Sequence, residues 1–303
     1  MASGFFAILD DIAALMDDVA VTSKIATQKT AGILGDDLAV NAEKATGFLS
    51  SREVPVLMKI MKGSFVNKLI IVPFVFLLEW LYSPAIKIIL IIGGFYLAFE
   101  GVEKIVEFIF HRQKKGSEVI EEATVTTTES PEDMEKKKVK SAITTDFILS
   151  LEIVIIALAA AKEGYEALKS QFNPLLVEIV TVSVVSIIAT VGVYGIVALI
   201  VRMDDAGYKL IKKSKDGKGV LATLGNLLIK ALPWVIKILG VVGTLALLLV
   251  SGGIFDHNID YLHHLFPTIP ETVKHFAFGI VAGLVLVLLV TATKKVFGLK
   301  SSH

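Results

Sequence analysis

Two stretches of this chain are apolar enough to enter a bilayer and yet carry carboxylates, and that conflict constrains the fold more than any other feature of the sequence. The clearer stretch runs from Thr145 to Ala159 and holds Asp146 and Glu152 among isoleucines, leucines and alanines. Near the N-terminus, residues 11–21 repeat the pattern, with Asp11 and Asp17 at the same six-residue interval and Asp18 beside them. A carboxylate at the centre of a spanning helix costs about 2.5–3.5 kcal/mol on insertion scales. Each of these acids therefore requires a partner in the protein, in water or in an ion.

Composition agrees with a membrane setting. Of 303 residues, 54% are hydrophobic, above the roughly 45–50% apolar share, glycine included, of soluble domains. The 30 basic and 30 acidic residues cancel, so nothing global points to nucleic acid, and the basic residues report topology instead. With no cysteine, disulfides and thiolate metal sites are excluded. The first ten residues lack a basic leader before the acids begin, so the N-terminus is expected to be retained.

About 20 apolar residues span the hydrocarbon core, and seven segments qualify: 4–22, 68–83, 85–109, 143–161, 175–202, 236–254 and 276–293. Residues 23–67 read as a cytoplasmic or re-entrant segment, 111–141 as a charged cytoplasmic linker, and 256–275 as an external loop. Pro233 is expected to divide the apolar stretch after residue 219 into an interfacial helix over 220–235 and the sixth span. Of the Lys and Arg residues, 23 lie in loops 22–67, 104–141 and 202–219 and the tail, against 4 in the alternate connections. That asymmetry places the N-terminus outside and the C-terminus in the cytoplasm. The two acidic segments then cross in opposite directions. The expected architecture is an all-α polytopic helix bundle of two inverted repeats, 1–110 and 142–255, with 276–303 as a C-terminal span and tail.

Converging carboxylates in such repeats point to a cation site built from Asp11, Asp17, Asp18, Asp146 and Glu152, with the Ser150 and Ser183 hydroxyls as further oxygen donors. Positions six apart on an α-helix differ by about 120°, so Asp146 and Glu152 do not share a face and convergence needs both repeats. Oxygen donors without thiols suit Mg²⁺, Mn²⁺ or Ca²⁺. The acidic pairs Asp36-Asp37 and Asp204-Asp205 are secondary candidates, as is a set comprising His257, Asp260 and His264, which a continuous helix would align at i, i+3 and i+7. Glu79 and Glu178 lie in apolar runs where a proton relay is an alternative to a surface position. No nucleotide-binding, nucleophile-elbow or zinc-protease motif occurs, and the chain is not expected to be an enzyme.

Residues 9–20, 29–38, 99–104, 144–152 and 190–195 together closely resemble the YedI-like bacterial inner-membrane proteins, over nearly the whole chain. The phrase from Asp146 through Ser150 to Glu152 is similar to the Asp-x-x-x-Ser-x-Asp-Asn signature of the TerC family of tellurium-resistance and manganese-efflux proteins. That resemblance implies that Asp146, Ser150 and Glu152 line an ion site with Asp11, Asp17 and Asp18. Glu152, Ile153 and Leu15 depart from the signature. The expected function is secondary transport or export of a Mn²⁺-like divalent cation in a bacterial inner membrane. The cation is the substrate, no cofactor is expected, and the partners are the lipid bilayer and protons as coupling ion, with homo-oligomerisation left open. The alternative is a non-transporting scaffold or stress-related interaction protein that works through the charged linker.

Overall fold

A computed structural model of the chain describes residues 2–46, 50–110, 131–168, 172–214 and 219–296. These residues are helical throughout apart from short connections. The elements are α1 (Ala2–Ala45), α2 (Ser50–Tyr82), α3 (Pro84–Phe110), α4 (Pro131–Leu168), α5 (Pro174–Val201), α6 (Met203–Lys213), α7 (Val220–Asn258), α8 (Asp260–His263) and α9 (Glu271–Val296). Six of them, α2, α3, α4, α5, α7 and α9, are long and apolar enough to cross a membrane. The protein is an all-α, multi-pass membrane helix bundle.

The boundaries follow local chemistry. Asn173 caps α5 by accepting from the Leu175 amide, with Pro174 at the first helical position where its missing N–H costs nothing. On α6, Asp204 and Asp205 occupy the first turn and Lys212 and Lys213 the last, an arrangement that complements the helix dipole. Gly219, with φ of 100°, starts α7 from a backbone conformation that side chains rarely adopt.

Several sequence expectations change here. The segment expected to span at 4–22 is the first half of a 44-residue helix, and α1 is not among the six apolar helices of the described residues. The stretch 23–67 is not a separate re-entrant element, because 23–45 continues α1 and residues 50–67 belong to α2. Pro233 does not divide 220–255, since α7 is one 39-residue helix with the proline inside it. Long helices in membranes tolerate such a proline where neighbours satisfy the freed backbone. Of the linker, 131–141 opens α4 and 111–130 lie outside the described residues.

Packing directions reveal how the helices are related. Helix α1 runs antiparallel to α4, since Lys29 meets Glu163 and Lys44 meets Ser141. Helix α2 runs parallel to α4, through Lys59–Glu135, Ser64–Asp146 and Glu79–Lys162. In the same way α5 runs parallel to α1, through Thr22–Thr181 and Asn41–Tyr194. Helix α3 lies antiparallel on α4, and α7 antiparallel on α1. Every pairing keeps its sense when α1, α2 and α3 are exchanged with α4, α5 and α7. That is the relation expected of inverted repeats. Helix α4 is the most enclosed spanning helix and α9 the least, and Leu149 and Ile153 of α4, Leu97 of α3 and Leu247 of α7 are fully buried.

Glycine sets the closest approach. A Cβ on Gly252 of α7 would collide with the backbone carbonyl of His275 on α9, which no rotamer change relieves. Gly252→Val is expected to destabilise the protein by about 1–3 kcal/mol, the usual range for overpacking, read as an earlier midpoint in thermal unfolding of the purified protein in detergent.

Candidate functional site

At the centre of the bundle Asp146, 1% exposed, is held by donors from three helices. Ser64 Oγ donates to its Oδ1 at 2.8 Å, Asn67 Nδ2 to its Oδ2 at 3.0 Å, and Tyr194 OH to its Oδ1 at 3.0 Å. The counter-charge is Lys68, whose Nζ lies 3.9 Å from Asp146 Oδ1. Two hydroxyls bridge that gap. Lys68 Nζ donates to Ser64 Oγ at 3.0 Å and to Ser150 Oγ at 2.7 Å, and Ser150 Oγ in turn donates to Asp146 Oδ2 at 3.4 Å. Both charged side chains are almost fully enclosed, so their desolvation is offset by the pairing and by these hydrogen bonds.

The network continues into α1. Tyr194 OH also lies 2.9 Å from Asn41 Oδ1, and Asn41 Nδ2 donates to Asp37 Oδ1 at 2.6 Å. The phenol has one proton and faces two acceptors, so it links the Asp37 and Asp146 ends of one chain of hydrogen bonds. A second ionic cluster ties α1, α3 and α4, where Lys44 lies 2.5 Å from Glu100 and Thr145 donates to Glu100 at 2.7 Å. Glu100 is buried against these partners.

Glu152 faces the other way. It lines a cavity of about 460 Å³ with Asp36, Asn258, Thr272, His257 and His275. Its Oε2 is buried without a hydrogen-bond partner. Two antiparallel helices thus present one acid each to a shared space, α1 through Asp36 and α4 through Glu152.

The family described as "Protein of unknown function (DUF808)" matches residues 3–302. The chain belongs to that family. No curated protein and no solved structure matches it, so the site in this DUF808 chain is read from its own geometry.

Among the residues singled out from the sequence, Asp146 and Ser150 belong to the lysine-centred network and Glu152 to the cavity, on different faces of α4 as their six-residue spacing requires. Asp11 and Asp17 are exposed and Asp18 is half-buried. Asp11 precedes Asp37 by 26 residues of unbroken helix, about 39 Å at 1.5 Å per residue, so it does not join them. Asp204 and Asp205 sit at the start of α6, where Asp205 pairs with Arg202 at 3.1 Å on the surface. His257, Asp260 and His264 do not form one face, because Ile259 is extended (φ −119°, ψ 100°) and breaks the helical register between α7 and α8. Ser183 lies on a different, largely apolar groove between α2 and α5. Glu79 pairs with Lys162 at 2.7 Å, and Glu178 is half-buried.

Lys68, Asn41, Ser64, Asn67 and Tyr194 are the site residues that spacing did not reveal. One signal was present. Asp37 follows Ile33 by four residues just as Glu152 follows Ile148, and Leu34 matches Leu149, so a short piece of the α4 phrase recurs in the second half of α1. Removing the lysine alone leaves a buried carboxylate uncompensated, so Lys68→Met is expected to cost about 3–5 kcal/mol. Lys68→Met combined with Asp146→Leu is expected to cost less than the single change, measured by denaturant titration of both variants in detergent.

Proposed function

We propose that this protein transports a divalent metal cation of Mn²⁺ type, with Asp36 and Glu152 as the ion-binding acids. The observation that carries the reading is the shared cavity, onto which antiparallel helices from the two halves each present a carboxylate, one of them with an unpartnered buried oxygen. Intramembrane acids facing a protein cavity are functional features by default. Inverted repeats meeting around polar groups are the architecture of alternating-access transporters. In this reading the Lys68–Asp146 network is the fulcrum on which the halves meet. Its carboxylate already faces a lysine and several donors, so the reading assigns the ion to the cavity. Carboxylates that ligate a metal must release their protons, so protons are the natural coupling ion. The setting is a bacterial inner membrane with the basic loops on the cytoplasmic side.

The test is Mn²⁺ entry into proteoliposomes, read by quenching of a trapped metal-sensitive dye under imposed pH gradients. Wild type is expected to show flux, Glu152→Gln and Asp36→Asn to slow it at least tenfold, and Asp11→Asn, which alters an exposed acid, to leave it unchanged. Absence of Mn²⁺, Mg²⁺ and Ca²⁺ flux in wild type, or undiminished flux in folded Glu152→Gln, contradicts the reading.

A further inference from the structure

The far end of the same cavity carries a different donor set. At the C-terminal end of α7, Asp256 and His257 meet His275 of α9, and a carboxylate oxygen and one ring nitrogen from each histidine all lie within 4.8 Å of one another. Asp256 is 1% exposed. Its Oδ1 is held by Lys274 Nζ at 2.8 Å, while Oδ2 faces His275 Nε2 at 3.2 Å and His263 Nδ1 at 3.6 Å. One carboxylate oxygen is thereby turned towards the imidazoles and the other is committed elsewhere.

The surrounding backbone fixes the ring that matters. His257 Nδ1 lies 2.8 Å from the Gly253 carbonyl, an acceptor only, so Nδ1 carries the proton and Nε2 keeps its lone pair. A carbonyl that fixes the tautomer in this way is the usual outer partner of a metal-binding histidine. His275 is placed by the close approach of α9 to Gly252, one helical turn before Asp256. The His257 and His275 ring centroids are 5.5 Å apart. Metal–ligand distances of about 2.0–2.2 Å require these donors to close in from separations of up to 4.8 Å.

We propose that Asp256, His257 and His275 form a binding site for a divalent transition-metal ion at the mouth of the cavity, with His263 able to supply a further imidazole. Two imidazoles and one carboxylate oxygen favour Zn²⁺, Co²⁺, Ni²⁺, Fe²⁺ and Mn²⁺ over Mg²⁺ and Ca²⁺, which take oxygen-rich sets. Lys274 neutralises much of the Asp256 charge, so the imidazoles carry the selectivity and the ion is held reversibly. His257 and His275 line the cavity that Asp36 and Glu152 also line, which makes the cluster a selective loading position for the transport site. The binding stands on its own donors and does not depend on transport occurring.

The experiment is titration of the purified full chain in detergent with Co²⁺, followed by visible d–d absorption and competed with Zn²⁺ or Mg²⁺. Wild type is expected to bind one Co²⁺ that Zn²⁺ displaces and Mg²⁺ does not. His257→Ala and His275→Ala are expected to weaken binding at least tenfold, and His264→Ala, which changes an exposed histidine outside the cluster, to leave it unchanged. Glu152→Gln, which slows flux at least tenfold under the transport reading, is expected to retain Co²⁺ binding, so loss of transport and loss of this site are read separately. Should the histidine variants fail to fold, X-ray absorption of the wild-type Zn²⁺ complex decides, with two or three imidazoles expected in the first shell. No Co²⁺ or Zn²⁺ binding by wild type, equal affinity in folded His257→Ala and His275→Ala, or a first shell without imidazole would overturn the proposal.

Discussion

The Lys68–Asp146 pair, bridged by two serine hydroxyls, is the interaction on which the bundle depends. It stands where α2, α4 and α5 meet, and through Tyr194 and Asn41 it reaches α1. A buried ion pair is a poor source of stability, because desolvation consumes most of the Coulomb gain, but breaking one side of it is costly. Its role here is therefore specification. Only one register of α2 against α4 places Ser64 and Lys68 opposite Asp146 and Ser150, and a shift of one turn would leave a charge unpaired in the apolar core.

The second acid of α4, Glu152, lies about 120° around the helix from Asp146 and lines the cavity with Asp36. The repeat relation supplies the opposite wall, since α1 runs antiparallel to α4 and brings its own acid to the same space. His257 and His275 line the same space and lie beside Asp256, with Lys274 paired to Asp256 and the Gly253 carbonyl holding His257. Structural pairing and chemical availability are thus divided between the two faces of one helix.

Much of this was legible in the sequence, for physical reasons that can be named. Apolar runs gave the all-helical membrane bundle, the basic-residue asymmetry implied that the acidic segments cross in opposite senses, and helical geometry separated Asp146 from Glu152. Two readings failed because they rested on spacing without register. The six-residue interval at Asp11 and Asp17 matched the interval on α4, but a 44-residue α1 carries those acids far from the meeting point. The i, i+3, i+7 alignment of His257, Asp260 and His264 presumed a helix that Ile259 interrupts. Lys68 was hidden for another reason. A cation at the edge of an apolar run reads as the end of a span, whereas α2 begins 18 residues earlier, at Ser50, and buries the lysine within it.

The central claim is that the cavity shared by Asp36 and Glu152 is a water-accessible path for ions. The natural absence of cysteine allows a direct measurement, the reaction of Ile156→Cys, a cavity-lining position, with a charged, membrane-impermeant thiol reagent applied to either side of oriented membranes. The account predicts labelling from one side, slowed by saturating Mn²⁺, with the accessible side changing when the pH gradient is reversed. Failure to label from either side, while an exposed control such as His264→Cys reacts, would contradict it.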